Sequence, residues 1–283
     1  MIKAEGLRKV YDGFELNCSF EVMPGTIVGL IGPNGMGKST TFKAILGLIS
    51  TDGGKATLFG KDVAQLTAED RQQIGVSLAE AGFSSYLTVK GIISILRQMY
   101  PVFDAAEFKK LCERFRIPLN KQVKEFSTGM KAKLKVLVAI SHGAKLLILD
   151  EPTAGLDVGA REEILDMLRA YMEEDEERSI LISSHISSDL EGLCDELYLI
   201  NEGKIVLHEE TDVLLNEYAI LKVKDSQYAS LDKSYLLYRR KENYGYSCLT
   251  KERSFYQENY PDIVVEKGTI DDLILMVMKG EKV

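Results

Sequence analysis

The sequence predicts an α/β fold in which short buried strands alternate with helices. Three uninterrupted apolar runs have the length and composition of strands buried on both faces of a parallel sheet, at Ile27–Ile31, residues 146–149 and residues 180–182. The first run is followed by apolar residues at i, i+3, i+4 and i+7 between residues 42 and 49, which is the period of an amphipathic helix. Strands that alternate with helices favour a parallel sheet covered by helices.

A glycine-rich loop separates that first strand from its helix. Residues 32–40 read G-P-N-G-M-G-K-S-T and have the spacing G-x-x-x-x-G-K-[S/T]. The glycines allow a tight turn with inward-pointing N–H groups, and the helix adds the positive end of its dipole, so the loop is predicted to bind phosphate. Lys38 can reach the outer phosphates of a nucleotide, and the Ser39 hydroxyl can bind Mg²⁺. The predicted ligands are Gly32, Asn34, Gly35, Gly37, Lys38, Ser39 and Thr40.

Two other predicted strands lead to side chains that can bind a metal ion or take part in catalysis. The run at 146–149 is followed by Asp150 and Glu151, and the run at 180–182 leads to His185. Parallel sheets bind ligands at the carboxyl ends of their strands. Asp150 is therefore predicted to hold Mg²⁺ through water, and Glu151 to polarise an attacking water, as in phosphoryl transfer. Of the three histidines His185 is the one placed for catalysis, and the other two are interpreted as structural or exposed.

The residues ahead of the loop predict an antiparallel strand. Apolar and polar residues alternate from Leu16 to Val22, which is the period of a half-buried strand. Tyr11 stands just before it, and its ring could either stack on a nucleotide base or cover a sheet edge. Further along, residues 197–200 and 204–207 flank an Asn-Glu-Gly turn and predict a β-hairpin.

Residues from about 84 to 143 carry a helical pattern. Asp104, with Glu107 three residues on, predicts a capping box. The sequence F-S-T-G-M at 126–130 precedes a further helix whose start is surrounded by Lys131, Lys133 and Lys135. Positive charge there opposes the helix dipole, so the cluster is either a solvated basic turn or a place to which an anion is brought.

Composition and charge narrow the class of protein. With 45% hydrophobic and 28% charged residues the composition is that of a soluble globular protein. The net charge of −8 argues against a dedicated nucleic-acid binder. The four cysteines lie far apart without a C-x-x-C pair, so neither a zinc site nor a disulfide framework is predicted. No stretch approaches the roughly 20 apolar residues that span a bilayer, so any spanning segment is expected to belong to another chain.

The composition changes beyond about residue 211. Tyrosines cluster between residues 218 and 246, and no glycine occurs between 211 and Gly245. Residues 236–239 and 246–249 suggest strands, and residues 270–278 a closing helix. We predict a small α+β appendage at 211–283.

The motifs, taken in order, resemble those of the ATP-binding subunit of ABC transporters over about residues 1–210. The matching positions are 32–40 for the Walker A loop, 126–130 for the signature L-S-G-G-Q, 146–151 for Walker B with its catalytic glutamate, 154–157 for the D-loop that ends in Asp157, His185 for the switch histidine and Tyr11 for the base-stacking aromatic. The resemblance implies a P-loop NTPase with an antiparallel β subdomain and a helical signature subdomain at about 84–143.

The resemblance also implies a reaction and its partners. Two such subunits, expected to be a homodimer, would bind ATP head to tail, so that Ser127 and Gly129 of one cover the ATP held on Lys38 of the other. The cofactors implied are ATP and Mg²⁺. The partner implied is a separate polytopic membrane subunit, with the chain peripheral at the cytoplasmic face of the plasma membrane and no nucleic acid involved. The chain looks most like the ATPases of bacterial drug, bacitracin and peptide exporters.

The sequence departs from the family pattern at three positions. Thr128 and Met130 replace a glycine and a glutamine of the signature. Ala79 stands where the Q-loop glutamine is expected, and we hypothesise that Glu80 replaces it as a magnesium ligand. These departures leave open the alternative of a regulatory or non-transport ABC ATPase that acts on a cytosolic partner.

Overall fold

The computed structural model describes all residues, 1–283. The strands are β1 Ile2–Tyr11, β2 Phe14–Val22, β3 Ile27–Ile31, β4 Gly53–Leu58, β5 Lys61–Asp62, β6 Ile74–Ser77, β7 Leu146–Asp150, β8 Ser179–Ser184, β9 Glu196–Asn201, β10 Lys204–Glu210, β11 Ala219–Val223, β12 Leu236–Glu242, β13 Gly245–Thr250, β14 Val264–Lys267 and β15 Glu281–Lys282. The helices are α1 Lys38–Ile45, α2 Ala68–Gln72, α3 Val89–Met99, α4 Ala105–Arg114, α5 Thr128–Ile140, α6 Val158–Glu173, α7 Ser187–Glu191, α8 Thr211–Asn216, α9 Asp225–Ser230, α10 Arg253–Asn259 and α11 Ile270–Lys279.

The central sheet has the strand order β10-β9-β3-β8-β7-β6. Strand β3 pairs in parallel with both β8 and β9, and β7 pairs in parallel with both β6 and β8. The antiparallel β10 closes one edge and forms the predicted hairpin with β9. Every residue of β3, β7 and β8 is buried, as the uninterrupted apolar runs predicted. The carboxyl ends of these three neighbouring strands share one edge of the sheet, and the phosphate loop, Asp150 and His185 follow them.

A second, antiparallel sheet has the order β2-β1-β4-β5. The alternation in β2 is confirmed, because Leu16, Cys18, Phe20 and Val22 are all buried. These side chains pack in one apolar cluster with Phe42 and other residues of α1. Strand β2, which precedes the phosphate loop in the sequence, therefore packs against the helix that follows the loop.

Helices α3, α4 and α5 pack their apolar stripes into the largest core of the molecule. The predicted capping box at α4 is only half formed. The Asp104 carboxylate accepts hydrogen bonds from the N–H groups of Ala106 and Glu107, at 2.7 and 3.1 Å. The Glu107 carboxylate pairs with Lys110 at 3.0 Å, one turn further along, instead of returning to the cap. A cation three residues ahead on the same helix face competes for this carboxylate.

Residues from 211 onward form helices α8 to α11 and strands β11 to β15. The antiparallel sheet of these strands has the order β14-β11-β13-β12-β15. Neighbouring residues of its strands point to opposite faces. Leu221 and Cys248 face a small core with Tyr256 of α10, while Ile220 and Leu249 belong to the large core that holds the ATPase helices. The boundary at residue 210 stays a prediction, since the apolar core crosses it.

The four cysteines are buried free thiols. No helix is both long enough and apolar enough to cross a bilayer.

Candidate functional site

The phosphate loop joins β3 to α1 in the geometry that its glycines predicted. Gly37 is the N-cap of α1 with φ +109°, a left-handed backbone that favours glycine. A Cβ at Gly32 would lie 2.4 Å from the carbonyl oxygen of Ile200, so any larger residue would collide with backbone. The Lys38 side chain is only 5% exposed, and its ammonium donates to the carbonyl oxygens of Gly32 at 2.5 Å and Pro33 at 3.1 Å. The lysine thus curls back across its own loop.

Asp150 and Glu151 are oriented by one serine on the neighbouring strand. The Ser183 hydroxyl donates to Asp150 Oδ1 at 2.6 Å and accepts from the Glu151 N–H at 3.0 Å. Glu151 has φ +51°, so the chain turns sharply after β7 at the residue that carries the second carboxylate. Sequence reasoning missed Ser183, although a serine inside a fully buried strand was a visible signal.

The Glu151 carboxylate connects the other two predicted catalytic side chains. Its Oε1 lies 3.1 Å from Lys38 Nζ, and its Oε2 lies 2.6 Å from His185 Nδ1. The backbone N–H of His185 also contacts Oε2, at 3.3 Å. Oε1 is buried and accepts no well-aligned hydrogen bond from the protein. The structure therefore brings Lys38, Glu151 and His185 into direct contact. Glu151 Oε1 can still accept a hydrogen bond.

Tyr11 is the last residue of strand β1 and is 45% exposed. Its neighbour in space is Phe14, with the ring centroids 6.5 Å apart, and Phe14 Cζ lies 3.0 Å from where a Cβ on Gly37 would be. Phe14 thus places the exposed tyrosine beside the phosphate loop. Base stacking by Tyr11 stays a prediction.

The signature residues lie on a different surface. Ser127 is the N-cap of α5, where its Oγ accepts the Met130 N–H at 3.2 Å. Asp157 is the N-cap of α6, where its Oδ1 accepts the Ala160 N–H at 2.9 Å. A Cβ on Gly129 would lie 3.2 Å from Ala160 Cβ, so the starts of the two helices touch. These residues line one shallow open depression.

The interpretation of the three lysines of α5 needs correction. Lys133 pairs with Glu163 at 2.7 Å and donates to the carbonyl oxygen of Phe115. Lys135 donates to the carbonyl oxygens of residues 78 and 79, and burial lowers the pKa of its ammonium. Only Lys131 is exposed without a partner in the chain. Lys133 and Lys135 are the sixth and eighth residues of α5, far enough along the helix for their side chains to reach neighbouring elements. Their spacing from the helix start therefore did not predict their partners.

Glu80 has a partner other than a metal site. Its carboxylate is 80% exposed and pairs with Lys43 Nζ at 2.7 Å. This hydrogen bond lowers the pKa of Glu80 and raises the pKa of Lys43. No group of three or more His, Cys, Asp or Glu side chains is close enough together to hold a metal ion. The role of Glu80 as a magnesium ligand stays a prediction.

The residues at the loop fit Mg²⁺ by the chemistry of their donors. Ser39 is the second residue of α1 and is part-buried, and Asp150 is buried at the end of β7. A hydroxyl and a carboxylate are the hard oxygen donors that this ion takes, and Mg²⁺ usually completes its shell with water and substrate phosphates. Ser39 and Asp150 would hold the ion here.

Strand, glycine loop and helix, with two carboxylates and a histidine at the edge of the same sheet, define a P-loop nucleotide-hydrolysing cassette. Residues 16–154 match the family model described as ABC transporter. The chain is 32% identical over 220 residues to the ABC transporter ATP-binding protein YtrB of Bacillus subtilis, covering 77% of this chain and 75% of that protein. It is 34% identical over 215 residues to the lantibiotic transport ATP-binding protein SrtF of Streptococcus pyogenes, covering 75% and 92%. The chain belongs to the family of ABC transporter ATP-binding proteins.

The fold agrees with solved structures of this family. A structure titled as the ATP-binding subunit of an ABC transporter superposes with a TM-score of 0.67 at 28% identity, over 76% of this chain and 91% of that one. The predicted fold class, an ABC-type ATPase core, is thereby confirmed, and the chain is an ABC ATPase.

Proposed function

We propose that this chain hydrolyses ATP to power export through a separate membrane subunit. The observation that carries the proposal is the Glu151 carboxylate, held between Lys38 and His185 at the ligand-binding edge of the sheet. A carboxylate with one buried, under-used oxygen is suited to orient a water for attack on a phosphate.

Each residue has a separate task in this reaction. Glu151 Oε1 would accept a hydrogen bond from the attacking water and take its proton. The Lys38 ammonium would exchange its contacts with loop carbonyls for the outer phosphates of ATP and stabilise the charge that develops there. His185 is 39% exposed and holds Oε2, so it would fix the carboxylate and reach the leaving phosphate. Mg²⁺, when bound by Ser39 and Asp150, would neutralise phosphate charge.

Assembly with a second ATPase subunit would complete the site. Ser127, Gly129 and the exposed Lys131 lie at the start of α5, where free N–H groups and positive charge favour an anion. Asp157 stands on the same surface. We propose that this surface covers the ATP bound to the partner's phosphate loop, with two identical subunits placed head to tail.

Transport is proposed from the name of a relative, and the export direction from the resemblance to the ATPases of bacterial drug, bacitracin and peptide exporters. SrtF is named for lantibiotic transport, and the chain covers 92% of it. Residues 211–283 form one small α+β unit on the ATPase core. We place the chain at the cytoplasmic face of the membrane as a peripheral subunit. A nucleotide sensor with little turnover is the second candidate, and it is favoured by the apolar side chain of Ala79 next to the carboxylates.

The test is to tag the chain in its native host, solubilise membranes in mild detergent and identify the proteins that co-purify. We expect a polytopic membrane protein in near-equal amount, and ATP turnover by the purified complex. A matched sample with Lys38→Ala should retain the membrane protein but lose turnover. Recovery of cytosolic proteins alone would contradict the transporter proposal, and a membrane complex without turnover would favour the sensor.

A further inference from the structure

The segment that follows β6 is held by lysines from two different helices. Lys135 of α5 donates to the carbonyl oxygens of Leu78 and Ala79, at 3.3 and 3.4 Å. Lys43 of α1 pairs with Glu80, the next residue, at 2.7 Å. A Cβ on Gly82 would lie 3.8 Å from Lys135 Cε, so the lysine stem also runs beneath residue 82. The helix that opens with the phosphate-loop lysine and the helix that opens with the signature serine thus meet at residues 78–80.

This segment borders the catalytic carboxylates. One cavity is lined by Asp150 and Glu151 together with Ala79, Lys131 and Lys135. The methyl group of Ala79 offers the cavity no hydrogen-bonding group. The backbone carbonyls of Leu78 and Ala79 accept hydrogen bonds from the Lys135 ammonium, and the Leu78 carbonyl also accepts one from the Ala81 N–H, so the lysine restrains the backbone at this point.

The position of the Lys135 ammonium is energetically unfavourable, and an apolar side chain in the same place would avoid the cost of removing a charge from water. The side chain is half-buried, and it has no carboxylate partner, whereas Lys133 two residues earlier pairs with Glu163. Removing an ammonium from water without an opposite charge is unfavourable. A methionine of similar length would pack in this place without that cost.

We propose that Lys135 is a positioning residue for ATP hydrolysis, which holds the backbone of residues 78 and 79 at the rim of the cavity that contains Asp150 and Glu151. The proposal deepens the proposed function and rests on the catalytic role given there to those carboxylates. Lys135 does not touch the reacting atoms. It acts through the backbone of a segment whose own side chain at position 79 is apolar.

The test compares Lys135→Met with Lys135→Arg and with a matched control on the same helix, Lys133→Met. Steady-state ATP hydrolysis gives kcat and KM, and hydrogen–deuterium exchange reports on the amides of residues 79–82. We expect K135M to lower kcat about tenfold with an unchanged KM for ATP, because a displaced backbone misaligns the reacting groups while Lys38 still binds the nucleotide. Exchange at 79–82 should become faster. K135R should restore most of both properties, and K133M should leave the exchange at 79–82 unchanged.

Two results would overturn the role of Lys135: wild-type kcat in K135M, or the same loss of kcat and the same faster exchange in K133M. Thermal unfolding of each variant separates these results from a general loss of fold. If the wild-type complex itself hydrolysed no ATP, the proposed function would fail together with this inference. An active wild type beside an unaffected K135M would overturn the inference alone.

Discussion

The two halves of the proposed nucleotide site differ in how far one chain completes them. At the phosphate loop, Lys38 is buried and its charge is met by two loop carbonyls and by Glu151. At the signature helix, Lys131 is exposed and has no partner, beside the Ser127 cap. Buried charge must be paired within the chain, whereas exposed charge can await a ligand. In the proposed function, the first half would therefore carry the chemistry in every subunit, and the second half would become part of a site on assembly.

The largest effect on ATP hydrolysis is expected from Glu151→Gln. The amide keeps the size of the side chain but cannot take a proton from water, so hydrolysis should fall by about 10³-fold. ATP binding at the loop should persist, and ATP-bound dimers should accumulate. Turnover assays together with size-exclusion chromatography in ATP and Mg²⁺ check both expectations. Unchanged turnover would remove Glu151 from the reaction and favour the nucleotide sensor.

Substitutions of Lys38 and Lys131 test whether ATP binding and ATP-dependent dimerisation can be separated. Lys38→Ala should weaken ATP binding to the isolated subunit by about 100-fold, because it removes a charged contact of roughly 3 kcal/mol. Lys131→Ala should leave that affinity unchanged and weaken only the ATP-dependent dimer. Titration with a fluorescent ATP analogue at low protein concentration, and dimerisation measured by light scattering, separate the two effects. Equal loss of monomer affinity in both variants would contradict the division.

Two substitutions of Ser127 test its contributions to the stability of the fold and to dimer assembly. Ser127→Ala loses the cap of α5, which should cost about 1 kcal/mol of the free energy of unfolding. Ser127→Asp keeps a cap acceptor and should retain that stability. Its negative charge should nevertheless prevent ATP-induced dimerisation by repelling the partner's γ-phosphate. Chemical denaturation and light scattering on both variants provide the measurement. Dimerisation by S127D would show that residue 127 does not approach nucleotide.

The smallest expected effect comes from a histidine that lies in neither half. His142 is buried against Tyr100, and its ring nitrogens contact the carbonyl oxygens of Val138 and Ile74. Burial lowers the pKa of His142 below its value in the unfolded chain, about 6.5. The unfolded state therefore binds more protons as the pH falls through that range, and stability is lost below about pH 6.5.

Thermal unfolding between pH 7.5 and 5.5 checks this expectation. His142→Asn should remove part of the pH dependence of stability, because it removes the buried imidazole whose pKa is lowered in the folded state. An acid-induced loss of activity without loss of stability would then be assigned to the site and not to the fold. If H142N unfolded with the same pH dependence as the wild type, another group would be responsible.

Sequence patterns predicted which residues lie at the edge of the central sheet wherever a residue follows its own apolar strand. The loop, both carboxylates and His185 each follow an apolar strand, so their shared edge was foreseeable. Ser183 was missed because it is the partner of Asp150 in the β7–β8 register, and register is set by the whole sheet. The contacts of Lys133 and Lys135 were missed for a similar reason, since they depend on the orientation of α5 against β6 and α6.

The apolar contact of α11 with the central sheet has a practical consequence for protein production. Ile270 and Leu273 of this helix lie against Ile31, the last residue of the strand that enters the phosphate loop, and against Leu197 and Leu207. A fragment truncated at residue 210 would expose an apolar surface of the central sheet next to the phosphate loop. Such a fragment would be expected to precipitate or require detergent, and its low yield would say nothing about the catalytic residues. Expression plans should keep the chain through Lys279.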